Sequence, residues 1–233
     1  EKQFNLAIKA DPDYALAHYD LGVLLNELGR KDEAEVEFRQ TIKSDPNHAS
    51  AHNNLGALLD ELGRKDEAEV QFRLAIKSNP NLATAYNNLG ALLNELGRKG
   101  EAEEQYRLAI KSDPNQASAH YNLGVLLNEL GRTDEAEEQY RLAVKSDPNH
   151  ALAYYNLGVL LYELGRKDEA EEQYRLAIKS DPNLAAAHEN YASLLRDKGL
   201  FGEAEKEVRI ALDLDPQDPY SLGTLGDILA DEG

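Results

Sequence analysis

Asparagine recurs every 34 residues through most of the chain, at the same place in each of five consecutive segments: Asn54, Asn88, Asn122, Asn156 and Asn190. The side-chain amide of asparagine offers one hydrogen-bond acceptor and two donors. It can therefore pair with both the C=O and the N–H of a peptide backbone, whatever the sequence of that peptide. The recurrence makes these five amides candidate site residues.

Catalytic chemistry has no comparable signal. The sequence holds no Ser-His-Asp order, no glycine-rich phosphate loop and no paired carboxylates that rise above the general charge pattern. We therefore expect no enzyme activity and no cofactor. His48 and His52 stand four residues apart, as two metal ligands on a helix can, but nothing obliges a third ligand to join them, so we expect no metal site.

The charge and composition restrict the class of partner. The chain of 233 residues has a formal net charge of −18. This charge would repel a phosphate backbone, so we expect no nucleic-acid partner and a preference for neutral or basic protein segments. Glu-Arg pairs four residues apart, such as Glu137 and Arg141, predict a solvated outer face.

No apolar run approaches the roughly 20 residues of a membrane-spanning helix, so we expect no membrane insertion. The absence of cysteine is compatible with a reducing compartment, and we expect a cytoplasmic location.

Nearly identical segments of 34 residues follow one another along the chain. Segments 117–150 and 151–184 differ at only six positions. Residues 1–14 align with the second half of such a segment and residues 219–233 with the first half. We therefore expect one repeat array over residues 1–233, cut from a longer array. Its full repeats are 15–48, 49–82, 83–116, 117–150, 151–184 and 185–218.

Each repeat has the periodicity of two amphipathic helices. In the fourth repeat, a first helix is indicated by an apolar stripe of His120, Leu123, Gly124, Leu127 and Leu130. A second helix follows, with Ala136, Tyr140, Ala143 and Val144 on one face. The unit is therefore predicted to be a helical hairpin whose small residues let the helices approach closely.

Local signals predict where these helices begin and end. Gly131 stands where the first helix should stop, and Asp134 with Glu137 forms a capping-box pattern for the second. The Asp-Pro pair ending at Pro148 should terminate the second helix, after which Asn149 is a candidate cap for the next repeat.

The pattern of Leu123, Gly124, Ala136, Tyr140, Ala143 and Pro148 resembles the tetratricopeptide repeat, and it recurs along the whole chain. The resemblance implies an all-α fold, a right-handed superhelical α-solenoid of stacked helix-turn-helix hairpins. In this family the first helices line a concave groove that holds peptides and protein segments.

Alignment with the family places the five asparagines in that groove. Asparagines about 8–10 Å apart would contact about every third residue of a bound peptide strand, which rises ~3.3 Å per residue. Tyr121 and Tyr155 would lie beside the amides, and Asn128 and Tyr162 one helical turn further on. Exposed rings of Tyr121, Tyr155 and Tyr162 would form an anchor for a partner. The competing interpretation is that repeat copying preserved the amides and that the rings only cover a neighbouring helix.

We therefore predict a scaffold or adaptor that binds a peptide or protein segment in its groove. One alternative is a structural scaffold that self-assembles end to end, and light scattering against concentration would separate the two. Another is the substrate-selecting arm of a larger enzyme, such as an O-linked N-acetylglucosamine transferase.

Overall fold

A computed structural model describes residues 1–232 as fourteen α-helices, without a strand in that range. The chain divides into two units, Glu1–Asn122 and Leu123–Gly233. Unit 1 contains α1 (Lys2–Ala10), α2 (Ala15–Glu27), α3 (Lys31–Ser44), α4 (Ala49–Glu61), α5 (Lys65–Ser78), α6 (Ala83–Glu95) and α7 (Lys99–Ser112). Helix α8 (Ala117–Glu129) includes the boundary. Unit 2 continues with α9 (Thr133–Ser146), α10 (Ala151–Glu163), α11 (Lys167–Ser180), α12 (Ala185–Asp197), α13 (Phe201–Leu214) and α14 (Pro219–Glu232).

Within each unit, a repeat folds as a hairpin of one even-numbered helix and the odd-numbered helix after it. In unit 1, α2 packs on α3, α4 on α5 and α6 on α7; in unit 2, α10 packs on α11 and α12 on α13. Successive even-numbered helices also contact one another directly, as α2, α4 and α6 do in unit 1 and α10, α12 and α14 do in unit 2. The prediction of an all-α fold of stacked hairpins is confirmed within each unit.

A glycine of the first helix receives an aromatic ring of the second. In unit 1, a Cβ atom added to Gly90 would lie 2.7 Å from the ring of Tyr106. In unit 2, one added to Gly158 would lie 2.7 Å from the ring of Tyr174. Only a residue without a side chain permits this contact, so the expectation that small residues set the helix spacing is confirmed.

Glycine also ends the first helix, as predicted at Gly131. This residue has φ of 72°, in the left-handed region that glycine adopts without steric cost. The N–H of Gly131 donates to the C=O of Asn128 and that of Arg132 to the C=O of Leu127, both at 2.9 Å. These two bonds form a Schellman motif, which satisfies carbonyl groups at the helix end.

The predicted helix caps are wrong at both places. Helix α9 begins at Thr133 after Arg132, so Asp134 is its second residue and stabilises the helix through its charge in the first turn. Asn149 lies inside the turn after Asp147, whose Oδ1 accepts from the Asn149 N–H at 3.0 Å. The cap of α10 is His150, whose Nδ1 accepts from the N–H of Ala153 at 3.2 Å.

Glutamates of the second helices join neighbouring repeats, which was not predicted from the sequence. The Glu137 side chain is only 15% exposed and accepts from Arg141 at 2.9 Å and from Arg166 of the next repeat at 2.8 Å. Burial opposes its ionisation, but these hydrogen bonds outweigh burial and lower the pKa of Glu137. The pair with Arg141 is therefore part of a bridge between repeats rather than an isolated solvated pair. Glu35 and Glu69 make the same bridges in unit 1.

Buried histidines fill the aromatic position of the first helix in several repeats. In unit 2, His188 is 4% exposed. Its Nε2 lies 3.1 Å from the C=O of Pro182 and its Nδ1 lies 2.7 Å from Oε2 of Glu207. Since a carbonyl and a carboxylate can only accept, this geometry suits a ring that carries hydrogen on both nitrogens. The hydrogen bond to Glu207 raises the pKa of His188 despite its burial.

Candidate functional site

The asparagine amides of unit 1 connect successive first helices. Each donates one N–H to a side chain that lies 35 residues earlier, one repeat plus one position away. The bonds are Asn54 to the Tyr19 hydroxyl at 3.2 Å, Asn88 to Asn53 Oδ1 at 3.1 Å and Asn122 to Asn87 Oδ1 at 3.0 Å. The three amides are half-buried.

Unit 2 repeats the same connection. Asn190 donates to the Tyr155 hydroxyl at 2.9 Å. Thr224, at the corresponding position of α14, donates to Oε1 of Glu189 at 3.0 Å. Asn156 lies half-buried at this position of α10. We call the surface that carries this row the first-helix face: Asn54, Asn88 and Asn122 in unit 1, and Asn156, Asn190 and Thr224 in unit 2.

The connection between helices fixes the orientation of the amides that make it: Asn54, Asn88, Asn122 and Asn190. It uses one of the two N–H groups of an asparagine, so the side chain can serve the fold and still offer a second donor to another molecule. The sequence carries a signal for this bond. In the preceding repeat, the residue directly before the position aligned with each amide can form a hydrogen bond. The significance of that offset depends on how the helices are stacked.

The three tyrosines of the predicted anchor are half-buried rather than exposed. The Tyr155 hydroxyl accepts from Asn190, and its ring centroid lies 6.4 Å from that of Tyr174. Tyr162 donates to Asp197 at 2.7 Å, and this hydrogen bond raises the pKa of Tyr162 to about 12. Tyr121 lies on α8. Each of Tyr155 and Tyr162 has its own partner, which limits the freedom of both rings.

One turn beyond the amides, unit 1 carries a second polar row of Asn26, Asp60 and Asn94. The Oδ1 atom of each is buried, and no hydrogen-bond partner is found among the described residues. Burial, followed by the charge of Glu95, raises the pKa of Asp60. Asn128, the predicted site residue of this row, is exposed on α8 in unit 2.

A cavity of about 440 Å³ opens on the first-helix face of unit 2. Its walls include two of the predicted site residues, Tyr155 and Asn190. The other polar wall residues are Glu189, which the family alignment places beside the amide row, and Asp215, Asp218 and Tyr220, which the sequence did not indicate. They come from α12, from the turn after α13 and from α14, so only the stacking of the hairpins brings them together.

The histidine pair considered for metal binding has other roles. His48 Nδ1 accepts from the N–H of Ala51 at 3.1 Å and caps α4. His52 lies 2.7 Å from Gln71 Oε1 and 3.1 Å from the C=O of Pro46. Both ring nitrogens of His52 are thus engaged within its own hairpin and the preceding turn.

Within residues 1–232, no helix combines the length and the apolar character that crossing a lipid bilayer requires.

Comparisons with known families cover nearly the whole chain. A family model described as tetratricopeptide repeat matches residues 95–151, 121–185 and 155–219. A second model with the same description matches residues 4–36, 37–70 and 72–104. No curated protein matches the chain in a sequence search.

Solved structures show the same fold. A crystal structure of the APC/C hetero-tetramer Cut9-Hcn1 has a TM-score of 0.82 at 19% identity, covering 97% of this chain and 45% of that one. This chain therefore spans less than half of that relative. Pseudomonas aeruginosa pilF has a TM-score of 0.83 at 21% identity, covering 91% of this chain and 97% of its own. YrrB, described as a TPR protein with an unusual peptide-binding site, has a TM-score of 0.59 at 24% identity, covering 79% and 95%.

Proposed function

The chain belongs to the tetratricopeptide repeat family, and from this we propose that its first-helix face binds an extended segment of a partner protein through the asparagine amides. The family match supports a protein-interaction scaffold in general. The finer proposal concerns the surface and the chemistry of recognition. We propose a binding role for this chain without catalysis.

The observation that carries the proposal is the hydrogen bond to the preceding first helix that four of the amides make: Asn54, Asn88, Asn122 and Asn190. An amide held in one orientation loses little conformational entropy when a ligand binds, which favours affinity. The second N–H and the carbonyl oxygen of an asparagine are the groups that a peptide backbone needs. A row of such amides at repeat spacing suits an extended segment of variable sequence.

Paired substitutions in unit 1 test this proposal. Peptides of about ten residues, which span roughly 30 Å when extended, would be selected from a displayed library against the whole chain. Their affinity would be measured by calorimetry for the wild type and for Asn88→Ala with Asn122→Ala. Loss of two amides at about 1 kcal/mol each should weaken Kd about thirtyfold.

The control changes two asparagines that lie in exposed turns of the same unit, Asn81→Ala with Asn115→Ala. These substitutions should leave Kd within about twofold, since exposed side chains away from an interface contribute little. Thermal unfolding would confirm that each variant is folded at the temperature of the titration. Equal loss in both pairs, or unchanged affinity in the first pair, would contradict the role of the amides.

A further inference from the structure

The cavity on the first-helix face of unit 2 has an acidic and aromatic lining. Carboxylates of Glu189, Asp215 and Asp218 stand with the phenol rings of Tyr155 and Tyr220, and none of the lining residues is basic. A site of this composition suits a cation, since carboxylates attract its charge and aromatic faces attract it through their quadrupole.

Hydrogen bonds from neighbouring residues hold all three carboxylates in place. Oε1 of Glu189 accepts from Thr224 at 3.0 Å, and Oδ1 of Asp215 accepts from the Gln217 N–H at 3.2 Å. Oδ2 of Asp218 accepts from the Ser221 N–H at 2.7 Å, which caps α14. Hydrogen bonds from Ser221 also hold the pKa of Asp218 below its usual value. In Glu189 and Asp215 the bonded oxygen fixes the carboxylate, and the other oxygen can meet a ligand.

The two rings differ in their freedom. The hydroxyl of Tyr155 accepts from Asn190, which fixes the ring within the wall of the cavity. Tyr220 is 77% exposed. A tyrosine this exposed at the rim of a cavity gains little for the fold, but it can cover a ligand.

Three of these residues interrupt the repeat. Glu189, Asp218 and Tyr220 differ in type from the residues 34 positions earlier, which are Tyr155, Leu184 and Ala186. Glu189 is on α12, whereas Asp218 and Tyr220 lie at the N-terminal end of α14, yet all three line one cavity. Copying of the repeat does not account for them.

We propose that this cavity binds the cationic head of an arginine or lysine side chain from the partner segment. The proposal rests on the proposed function, because Asn190 belongs to the amide row and would hold the backbone that delivers the side chain. The negative net charge of the chain, −18, favours the approach of such a segment. A planar guanidinium can stack on a ring and pair with a carboxylate at once, so we expect arginine to bind more tightly than lysine.

The test uses small probes that report on the cavity alone. N-acetyl-argininamide, N-acetyl-lysinamide and the neutral isostere N-acetyl-citrullinamide would be titrated into the whole chain, with NMR detection at the rings of Tyr155 and Tyr220. We expect saturable millimolar binding of the two cations and none of the citrulline derivative. Glu189→Gln should weaken the arginine probe by about fivefold, as expected for the loss of one partly exposed ion pair.

The control is Glu172→Gln, which removes the same charge from an exposed position of α11 and should leave Kd unchanged. Equal binding of citrullinamide, an equal effect of both variants, or no saturation at tens of millimolar would overturn the proposal. These probes cannot span two amides of the row. If the probes do not bind but the Asn88 and Asn122 double variant binds its peptide about thirtyfold more weakly, the cation site would be rejected and the proposed function retained.

Discussion

Replacing Gly158 with alanine tests the contact that sets the distance between the two helices of a repeat. The new Cβ would lie 2.7 Å from Cε1 and 2.8 Å from Cδ1 of Tyr174. Since that ring is 1% exposed, it has no open space to enter. Overpacking of a core costs about 1–3 kcal/mol, and a buried ring belongs in the upper part of that range, about 2–3 kcal/mol. Alanine regains about 1 kcal/mol of helix propensity, so we expect a net loss of about 1–2 kcal/mol.

Gly202→Ala is the matched control in the same unit. Gly202 lies in the first turn of α13, and a Cβ atom there would have no neighbour within 4 Å. Helix propensity is then the main term, so we expect a gain of a few tenths to about 1 kcal/mol. The same chemical change should therefore alter the free energy of unfolding in opposite directions at the two positions.

Denaturant unfolding followed by circular dichroism would give the change in stability, and hydrogen exchange in α10 and α11 would show whether the loss is local. Tyr174→Leu should reduce the penalty of Gly158→Ala, because it removes the ring that the methyl group meets; a double-mutant cycle measures this coupling. If Gly158→Ala stabilises the chain as much as Gly202→Ala does, close packing on the ring does not set the helix spacing.

Three further predictions concern charged side chains. Glu137→Gln should lower the free energy of unfolding by about 1–2 kcal/mol, more than the loss of an isolated surface pair, because it weakens hydrogen bonds to two repeats. Denaturant unfolding near neutral pH would measure this change, and a loss below ~0.3 kcal/mol would argue against the bridge between repeats. The raised pKa of His188 contributes stability that is present below pH ~6.5 and lost as pH rises through the folded-state pKa. Glu207→Gln should flatten that dependence in hydrogen exchange of α12, and an unchanged profile would refute the ion pair. Burial raises the pKa of Asp60 in the folded state, so the wild type should gain stability on acidification. Asp60→Asn should stabilise unit 1 by up to about 1 kcal/mol at neutral pH and remove that gain in stability. Urea unfolding from pH 4 to 8 tests the direction of both changes.

Local sequence was sufficient for the helices and for their C-terminal ends. The stripe through Leu123 and Leu127 predicts α8, and the φ of Gly131 follows from the one residue type that adopts it readily. The caps failed because they depend on one or two residues of register in a short turn. His150 took the role predicted for Asn149 since the turn after Asp147 continues one residue further.

The amide row shows how much of the candidate site the repeat could reveal. Its period identified Asn54, Asn88 and Asn122 as equivalent side chains, and the structure places all three on first helices of unit 1. Their hydrogen bonds to the preceding helix were not predicted. Each bond joins residues 35 positions apart in a repeat of 34 residues. That such residues face each other can be predicted only when the rotation between neighbouring helices is known.

The sequence by itself therefore determined the repeating unit, because periodicity, glycine turns and Asp-Pro stops act over a few residues of chain. Tertiary structure alone decided which side chains meet across repeats: Glu137 with Arg166, Asn190 with Tyr155, and Glu189 with Asp218 and Tyr220 around one cavity. These contacts join residues about 30 positions apart, and a change of one residue in register, which turns the side chains by about 100° around the helix, would replace them.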